Sequence, residues 1–173
     1  MNIKEYIWEQ FDHVVVYDYE FRQLEGNHPE PVCVSYKDLK TGEVKQQWLV
    51  GKDNMSFYNL SPFPVAATLY ICHYAVAEVS CDIVRGFEKP RFIWDSFIEE
   101  KKMLNGKIKR GFGLLDTCER YNIKGVMNMA HKTLWRDTII NNYPSYSDEE
   151  KKGILEYNLE DVLTNEKLFY AQL

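Results

Sequence analysis

Two acidic residues near the start of the sequence, Asp18 and Glu20, are well suited to chemistry. They stand at the end of an apolar stretch that begins at Val14. A β-branched run of this kind is typical of a buried strand. Side chains two residues apart on a strand point to the same face, about 7 Å from each other. Burying two carboxylates together costs free energy unless a positive charge compensates them. Because hard cations prefer carboxylate oxygens, the pair indicates a divalent-metal site; a strand end whose acids face water is the alternative.

A second pair of such residues, Tyr157 and Asp161, lies near the other end of the chain. They are four residues apart, so they share one face of a helix. A carboxylate in this place can complete a metal site, and a phenol can orient a water molecule. The alternative is a tyrosine at the edge of the core beside a solvated aspartate.

Composition restricts the classes of protein that these pairs can belong to. The chain has 173 residues, of which 45% are hydrophobic, and this predicts one domain spanning residues 1–173. A formal net charge of −5 argues against binding of duplex nucleic acid through a broadly basic surface, but not against a local cleft. The four cysteines form no Cys-x-x-Cys pair and are predicted to be buried thiols. With no apolar signal core and no membrane-length apolar window, we expect a soluble cytoplasmic protein without a membrane partner.

The elements that must position the two pairs follow from hydrophobic patterning. Three strands come first and are predicted to form an antiparallel meander, followed by a strand, a helix, a strand and further helices. Ser147, with Glu150 three residues later, predicts the start of the last helix, which runs towards Leu173. The predicted strands are 14–21, 32–36, 43–50, 65–72 and 91–94, and the predicted helices are 55–60, 75–84, 96–104 and 112–121, with no element assigned over 122–144. This order resembles a ribonuclease H-like α/β fold, with a central mixed five-stranded sheet, meander plus parallel strands, flanked by helices.

Taken together, the two pairs resemble the motifs of the DEDD 3′–5′ exonucleases. Asp18-Tyr19-Glu20 on a first strand, followed by Tyr157-Asn158-Leu159-Glu160-Asp161 on a late helix, is similar to their tyrosine subclass. The histidine subclass carries His where this chain has Glu156. The resemblance is narrower to the exonuclease domains of phage-type family A DNA polymerases, and the stretches that carry it are 74–81, 94–95, 132–136 and 149–162.

One motif departs from the family pattern. After the fourth strand, most DEDD enzymes have Asn-x-x-x-Asp, whereas this chain has Tyr74-x-x-x-Glu78. Glu78 is predicted to supply the missing acid, with Asp82 one turn later as a substitute. We otherwise interpret Asp82 as a solvated helix residue, and Asp95 as the N-cap of the helix that follows it.

The resemblance implies a metal-dependent exonuclease with two divalent ions, Mg²⁺ or Mn²⁺. Asp18 would bridge both ions, Glu20 and Asp161 would complete one site, and Glu78 would support the second through a water, while Tyr157 would orient the attacking water. Single-stranded DNA 3′ ends would be hydrolysed to nucleoside 5′-monophosphates. The enzyme would act beside a DNA polymerase, on another chain or in a missing domain, in a bacterial or phage-infected cell. Trimming of RNA 3′ ends, or nucleic-acid binding with weak catalysis, are the alternatives.

Substrate contacts are predicted at two aromatic and two basic residues. Phe21 and Tyr74 are candidates for stacking on bases. Lys132 and Arg136 lie four apart and precede the last motif, in the region where the family has basic residues near the substrate. A further basic cluster between Lys101 and Arg110 is either a phosphate track or a solvated helix end.

Overall fold

The computed structural model of the protein describes residues 2–51, 61–107, 111–126 and 128–173. A mixed five-stranded sheet lies at its centre, with strand order β3-β2-β1-β4-β5. Strands β1, β2 and β3 pair antiparallel, whereas β1 with β4 and β4 with β5 pair parallel. The strands are β1 (His13–Arg22), β2 (Glu30–Asp38), β3 (Val44–Trp48), β4 (Thr68–Cys72) and β5 (Phe92–Asp95). The predicted α/β architecture, meander and central first strand are confirmed.

Six helices surround the sheet in the described parts of the chain. The two that were not predicted are an N-terminal helix and the helix that precedes the last one. The helices are α1 (Ile3–Gln10), α2 (Ala75–Val84), α3 (Ser96–Leu104), α4 (Leu114–Arg120), α5 (Met129–Asn142) and α6 (Asp148–Gln172). The capping box predicted at Ser147 and Glu150 is present at the start of α6. The helix expected over 55–60 falls outside the described residues.

Alternation along β1 decides which layer each of its side chains meets. Val15, Tyr17 and Tyr19 point to the face where Cys81 of α2 completes the core. Val14 and Val16 point to the other face and pack with Val162 and Phe169 of α6 and with Ile7 of α1. The side chains of Asp18 and Glu20 continue the second row, so they are presented towards α6.

The ladder between β1 and β4 is much shorter than β1 itself. It joins residues 13–16 of β1 to residues 68–71 of β4, whereas β1 continues to Arg22. Beyond Val16, one side of β1 therefore has no strand partner, while the other side stays paired to β2 as far as Arg22. A bulge between Glu20 and Phe21 bends the strand at this end. The acidic pair thus lies at the carboxyl end of β1, where the sheet divides, which is where α/β sheets commonly form binding sites.

Two further findings complete the fold. All four cysteines are buried and free, as predicted. No helix among the described residues is long and apolar enough to cross a membrane.

Candidate metal centre and cleft

Three carboxylates from two elements meet at the end of β1. One oxygen from each of Asp18, Glu20 and Asp161 lies within 4.8 Å of the other two. Glu20 and Asp161 are buried, and Asp18 is partly exposed. The two pairs, which are about 140 residues apart in sequence, are therefore brought together, because α6 packs across the face of β1 that carries Asp18 and Glu20.

Asn158 of α6 holds the first of these acids in place. Its Nδ2 donates to Asp18 Oδ2 at 2.8 Å and to the carbonyl oxygen of Asp18 at 3.0 Å. Asn158 is fully buried, and it precedes Asp161 by three residues, so both residues are on one face of α6. Sequence reasoning missed this role. The sequence did contain one signal for it, namely a side-chain amide at a position within the final motif, Asn158.

Lys132 of α5 supplies a positive charge to the group. Its Nζ forms an ion pair with Asp161 Oδ2 and lies 5.6 Å from the centre of the Tyr157 ring. Both partners of the ion pair are largely buried, with 14% and 6% of their side chains exposed. The other carboxylate oxygen of Asp161, Oδ1, is buried and has no hydrogen-bond partner in the described structure. One oxygen of Asp161 therefore remains available to a further cation.

The pKa shifts of Asp18 and Glu20 show that the positive charges nearby do not fully compensate the three acids. Burial, and then the charge of Asp161, raise the pKa of Asp18 well above its ordinary value, and burial followed by Asp18 does the same to Glu20. Lys132 and Arg136 act in the opposite direction on both pKa values. Lys132 and Arg136, which we predicted as substrate contacts, thus lie near the acids, and they do not neutralise the group.

Tyr157 packs beside the acids and is almost wholly buried. Burial raises the pKa of its phenol, and the nearby charges of Glu20 and Asp161 raise it further. The phenol therefore keeps its proton at any ordinary pH. A neutral phenol in this place is a hydrogen-bonding group and not a base.

Glu78 reaches the same end of β1 from α2, on the other side of the sheet. It is buried, and its Oε2 accepts a hydrogen bond from the Tyr19 backbone N–H at 2.7 Å. It is not one of the three acids whose oxygens lie within 4.8 Å of each other. Burial, followed by the charge of Asp18, raises its pKa. Glu78 is therefore close to the acids and bound to the strand that carries them.

Asp82 is not the solvated residue that we expected. It is 5% exposed, and it accepts hydrogen bonds from the Tyr19 hydroxyl at 2.8 Å and from the Tyr17 hydroxyl at 3.4 Å. Burial raises the pKa of Asp82 to about 6, against the effect of these two hydrogen bonds. The expectation was wrong because the hydroxyls that satisfy Asp82 come from β1, more than 60 residues away in sequence.

A cleft of about 920 Å³ opens over the acids. Phe21 and Tyr74, both predicted to contact substrate, line it, as do Lys132 and Arg136. It is also lined by Phe97, which the sequence did not single out. Of the predicted basic cluster, residues 108–110 are outside the described structure, and Lys101 lies at the end of α3 with its Nζ 4.3 Å from the Phe97 ring centre.

Asp95 is confirmed as a helix cap and does more than was predicted. Its carboxylate accepts hydrogen bonds from the backbone N–H groups of Phe97 and Ile98 at the start of α3. It also accepts from the backbone N–H groups of Tyr74 and Ala75 at the start of α2. One side chain thus fixes the starts of two helices that border the cleft.

Comparisons with known proteins bear on the fold. No protein-family model matches the sequence, and a search of curated proteins finds no match. Among solved structures, the chain is similar to a nuclease in its apo form, with a TM-score of 0.62 and 15% identity over 99% of this chain and 76% of that one. It is also similar to Escherichia coli RNase D, described as an exoribonuclease involved in structured RNA processing, with a TM-score of 0.53 and 12% identity. That match covers 92% of this chain and 39% of the RNase D chain. The chain therefore has the ribonuclease H-like α/β fold that these nucleases share.

Proposed function

We propose that the chain is a metal-dependent 3′–5′ exonuclease of the DEDD type, tyrosine subclass, that acts on single-stranded 3′ ends. The observation that carries this proposal is the group of three buried or half-buried carboxylates on the floor of a 920 Å³ cleft, with Tyr157 beside them. The fold shared with two nucleases is consistent with it. The assignment to the tyrosine subclass rests on the sequence resemblance alone.

The residues present fit a divalent cation. Three carboxylates with one oxygen each inside 4.8 Å are a hard, oxygen-only donor set, which suits Mg²⁺ and Mn²⁺. The buried and unpartnered Oδ1 of Asp161 is a second indication, since a buried acceptor without a partner is uncommon. Asp18, Glu20 and Asp161 would hold the metal, and Glu78 would support a second ion through a water. When bound, the ions would supply a more acidic water and would stabilise the leaving oxygen.

The other residues of the site bind and orient. Asn158 fixes the carboxylate of Asp18, so the metal ligand does not have to be ordered when the ion arrives. Tyr157, whose phenol stays protonated, directs the attacking water by hydrogen bonding. Lys132 and Arg136 bring positive charge to the phosphates of the substrate, and Phe21 contacts the nucleotide at the edge of the cleft.

The test is a cleavage ladder. Single-stranded DNA and RNA oligomers labelled at the 5′ end are incubated with Mg²⁺ or Mn²⁺ and with a chelator. We expect stepwise shortening from the 3′ end that needs the metal and is lost in Asp18→Ala and Asp161→Ala. Glu160→Gln is the matched control, because Glu160 precedes Asp161 on α6 but is exposed and does not line the cleft. Products that form equally with chelator, or that persist in both variants, would contradict the proposal.

DNA is the proposed substrate because the sequence resembles polymerase exonuclease domains, and work beside a DNA polymerase is part of the proposal. A mismatched primer end is then expected to be trimmed faster than a matched one, since it frays to a single strand.

RNA is the second candidate, and it is favoured by the similarity of the fold to an exoribonuclease, RNase D. The rates on the two labelled oligomers decide between them. Binding without cleavage would instead identify a nucleic-acid-binding domain.

A further inference from the structure

Lys132 makes a contact that the sequence did not predict. We expected this residue to meet the substrate, yet its Nζ forms an ion pair with Oδ2 of Asp161, one of the three acids proposed to hold a metal. Both side chains of the pair are largely buried. A divalent cation held by the acids therefore has the ammonium as a neighbour on the same carboxylate. Two cations so close repel each other strongly, because water screens charges poorly at a buried site.

The ammonium acts on the acids in the way that a metal cation does. It is in contact with Asp161, and its charge opposes the rise in the pKa values of Asp18 and Glu20 that burial causes. Its Nζ also lies 5.6 Å from the centre of the Tyr157 ring, so it stands among the residues of both motif pairs. The ammonium and a divalent cation are thus alternatives for the same negative charge.

Lys132 also attaches the first half of α5 to the site. Of residues 129–134, it is the one that is not exposed. The second half of the helix is held independently, by the buried Ile139 and by Trp135, which packs with residues of α6. Release of the ammonium from Asp161 would therefore loosen the first half of α5 and leave the second half in place.

A phosphate offers the ammonium another partner. Lys132 lines the cleft in addition to contacting Asp161, so its side chain is within reach of a bound strand. A lysine ammonium is a point charge with three N–H donors on a flexible stem, and it binds phosphate well. It can pass from a carboxylate oxygen to a phosphate oxygen without loss of its charge pairing.

We propose that the Lys132 ammonium and a divalent cation compete for Asp161, and that a phosphate of the bound strand ends this competition by accepting the ammonium. Metal and strand therefore bind cooperatively, since each favours the position of Lys132 that the other requires. This inference rests on the proposed function and names how the substrate regulates the metal centre.

Metal affinity, measured without turnover, tests the competition. Mn²⁺ is titrated into the wild type and into Lys132→Met by isothermal titration calorimetry. We expect the Kd of Mn²⁺ to fall by about 5- to 150-fold in the variant, the usual range for coupling between two sites. Lys132→Arg, which keeps the charge, should not lower the Kd.

Arg136→Met is the matched control for loss of a positive charge. Arg136 also lines the cleft, one turn further along α5, and its charge also acts on Asp18 and Glu20. Among the described contacts, however, it makes no ion pair with the three acids, whereas Lys132 does. The Kd of Mn²⁺ should therefore fall much less in Arg136→Met than in Lys132→Met.

The phosphate step is tested with thymidine 5′-monophosphate, which carries a phosphate but has no phosphodiester bond to cleave. The titrations are repeated with this nucleotide and with thymidine, and binding of Mn²⁺ to the nucleotide alone is subtracted. We expect the nucleotide, and not thymidine, to lower the Kd of Mn²⁺ for the wild type. Lys132→Met should reduce this effect by about 5-fold or more, because no ammonium remains to be moved.

Hydrogen exchange reports the position of the helix. In the wild type, the amides of residues 129–135 should exchange faster with Mn²⁺ than with chelator, and more slowly again once the nucleotide is added. Lys132→Met should exchange fast under all three conditions. The second half of α5, around Ile139, is the internal control and should not change.

The outcomes separate the competition from the exonuclease itself. A Kd that does not fall in Lys132→Met, a Kd that falls equally in Arg136→Met, or a nucleotide effect that survives Lys132→Met would each overturn the competition and leave an active nuclease unaffected. The expected changes in a protein that cleaves no labelled oligomer would support the competition and refute the exonuclease. A wild type that binds no Mn²⁺ would overturn both. Thermal melts of each variant check that the fold is retained.

Discussion

Replacing Asp18 with asparagine is expected to stabilise the metal-free protein and to remove its stabilisation by metal. Two unit charges within 4.8 Å of each other repel by at least about 3 kcal/mol at an effective dielectric constant near 20. The alternative for the protein at pH 7 is to protonate Asp18. Its pKa rises from 3.8 to about 8 through burial and the charge of Asp161. At pH 7 the folded protein keeps a proton that the unfolded chain has released about three pH units lower, which costs about 4 kcal/mol. Both routes predict that the acid destabilises the folded state by about 3 kcal/mol or more.

Asparagine removes this cost and still accepts the hydrogen bond from Asn158. In chelator at pH 7, the melting temperature of Asp18→Asn should therefore exceed that of the wild type by roughly 6–12 °C for a chain of this length. With metal at roughly 100 times its Kd, the wild type should gain about 3 kcal/mol and the variant much less, so the difference closes. The assay is differential scanning calorimetry with chelator and with Mn²⁺, and Glu160→Gln is the control. A variant that is less stable than the wild type in chelator, or that gains as much from Mn²⁺, would refute the reasoning.

Three shorter tests address other parts of the site. Tyr157→Phe should lower kcat by 10-fold or more, on the order expected for loss of an orienting group, and an unchanged Mn²⁺-induced melting shift would show that the metal still binds. Gly153→Ala should destabilise the protein by about 1–3 kcal/mol in urea unfolding, because the new methyl overlaps the Trp135 ring of α5; Lys152→Ala, exposed on the same helix, should change little. For Asp82, whose folded pKa is raised to about 6, the stabilising protonated form is lost as pH rises from about 4 through 6. The stability of Asp82→Asn relative to the wild type should therefore increase by about 3 kcal/mol over that interval in chelator, and a pH-independent difference would contradict it.

Features of the fold that depend on neighbouring residues were predictable. The β-branched run before Asp18 identified the central strand, and the Ser147 capping box identified the start of α6. The start of α5 carries a local signal of the same kind, since Asn128 accepts from the His131 N–H. That helix was missed because Met129, Leu134 and other large apolar residues along it are exposed, so its pattern lacks a clear buried face.

Features of the site that depend on distant partners were not predictable. The sequence placed Asp18 and Asp161 in one site only through their resemblance to a known pair of motifs. Nothing near Asp82 in sequence indicates that two hydroxyls from β1 surround it. Similarly, the amide of Asn158 has no local partner, and its role becomes visible only where α6 crosses β1.

A partner distant in sequence also explains why a glutamate occupies position 78. Because β4 ceases to pair with β1 after Val16, the Tyr19 amide has no strand partner on that side, and Glu78 takes the place of the missing strand. Asp82, one turn further along α2, binds the hydroxyl of the same tyrosine. Tyr19 is the residue between Asp18 and Glu20, so α2 fixes the strand end from the face opposite to the acids. The longer side chain of glutamate is therefore explained by its reach to the β1 backbone, whatever share it has in binding a second ion.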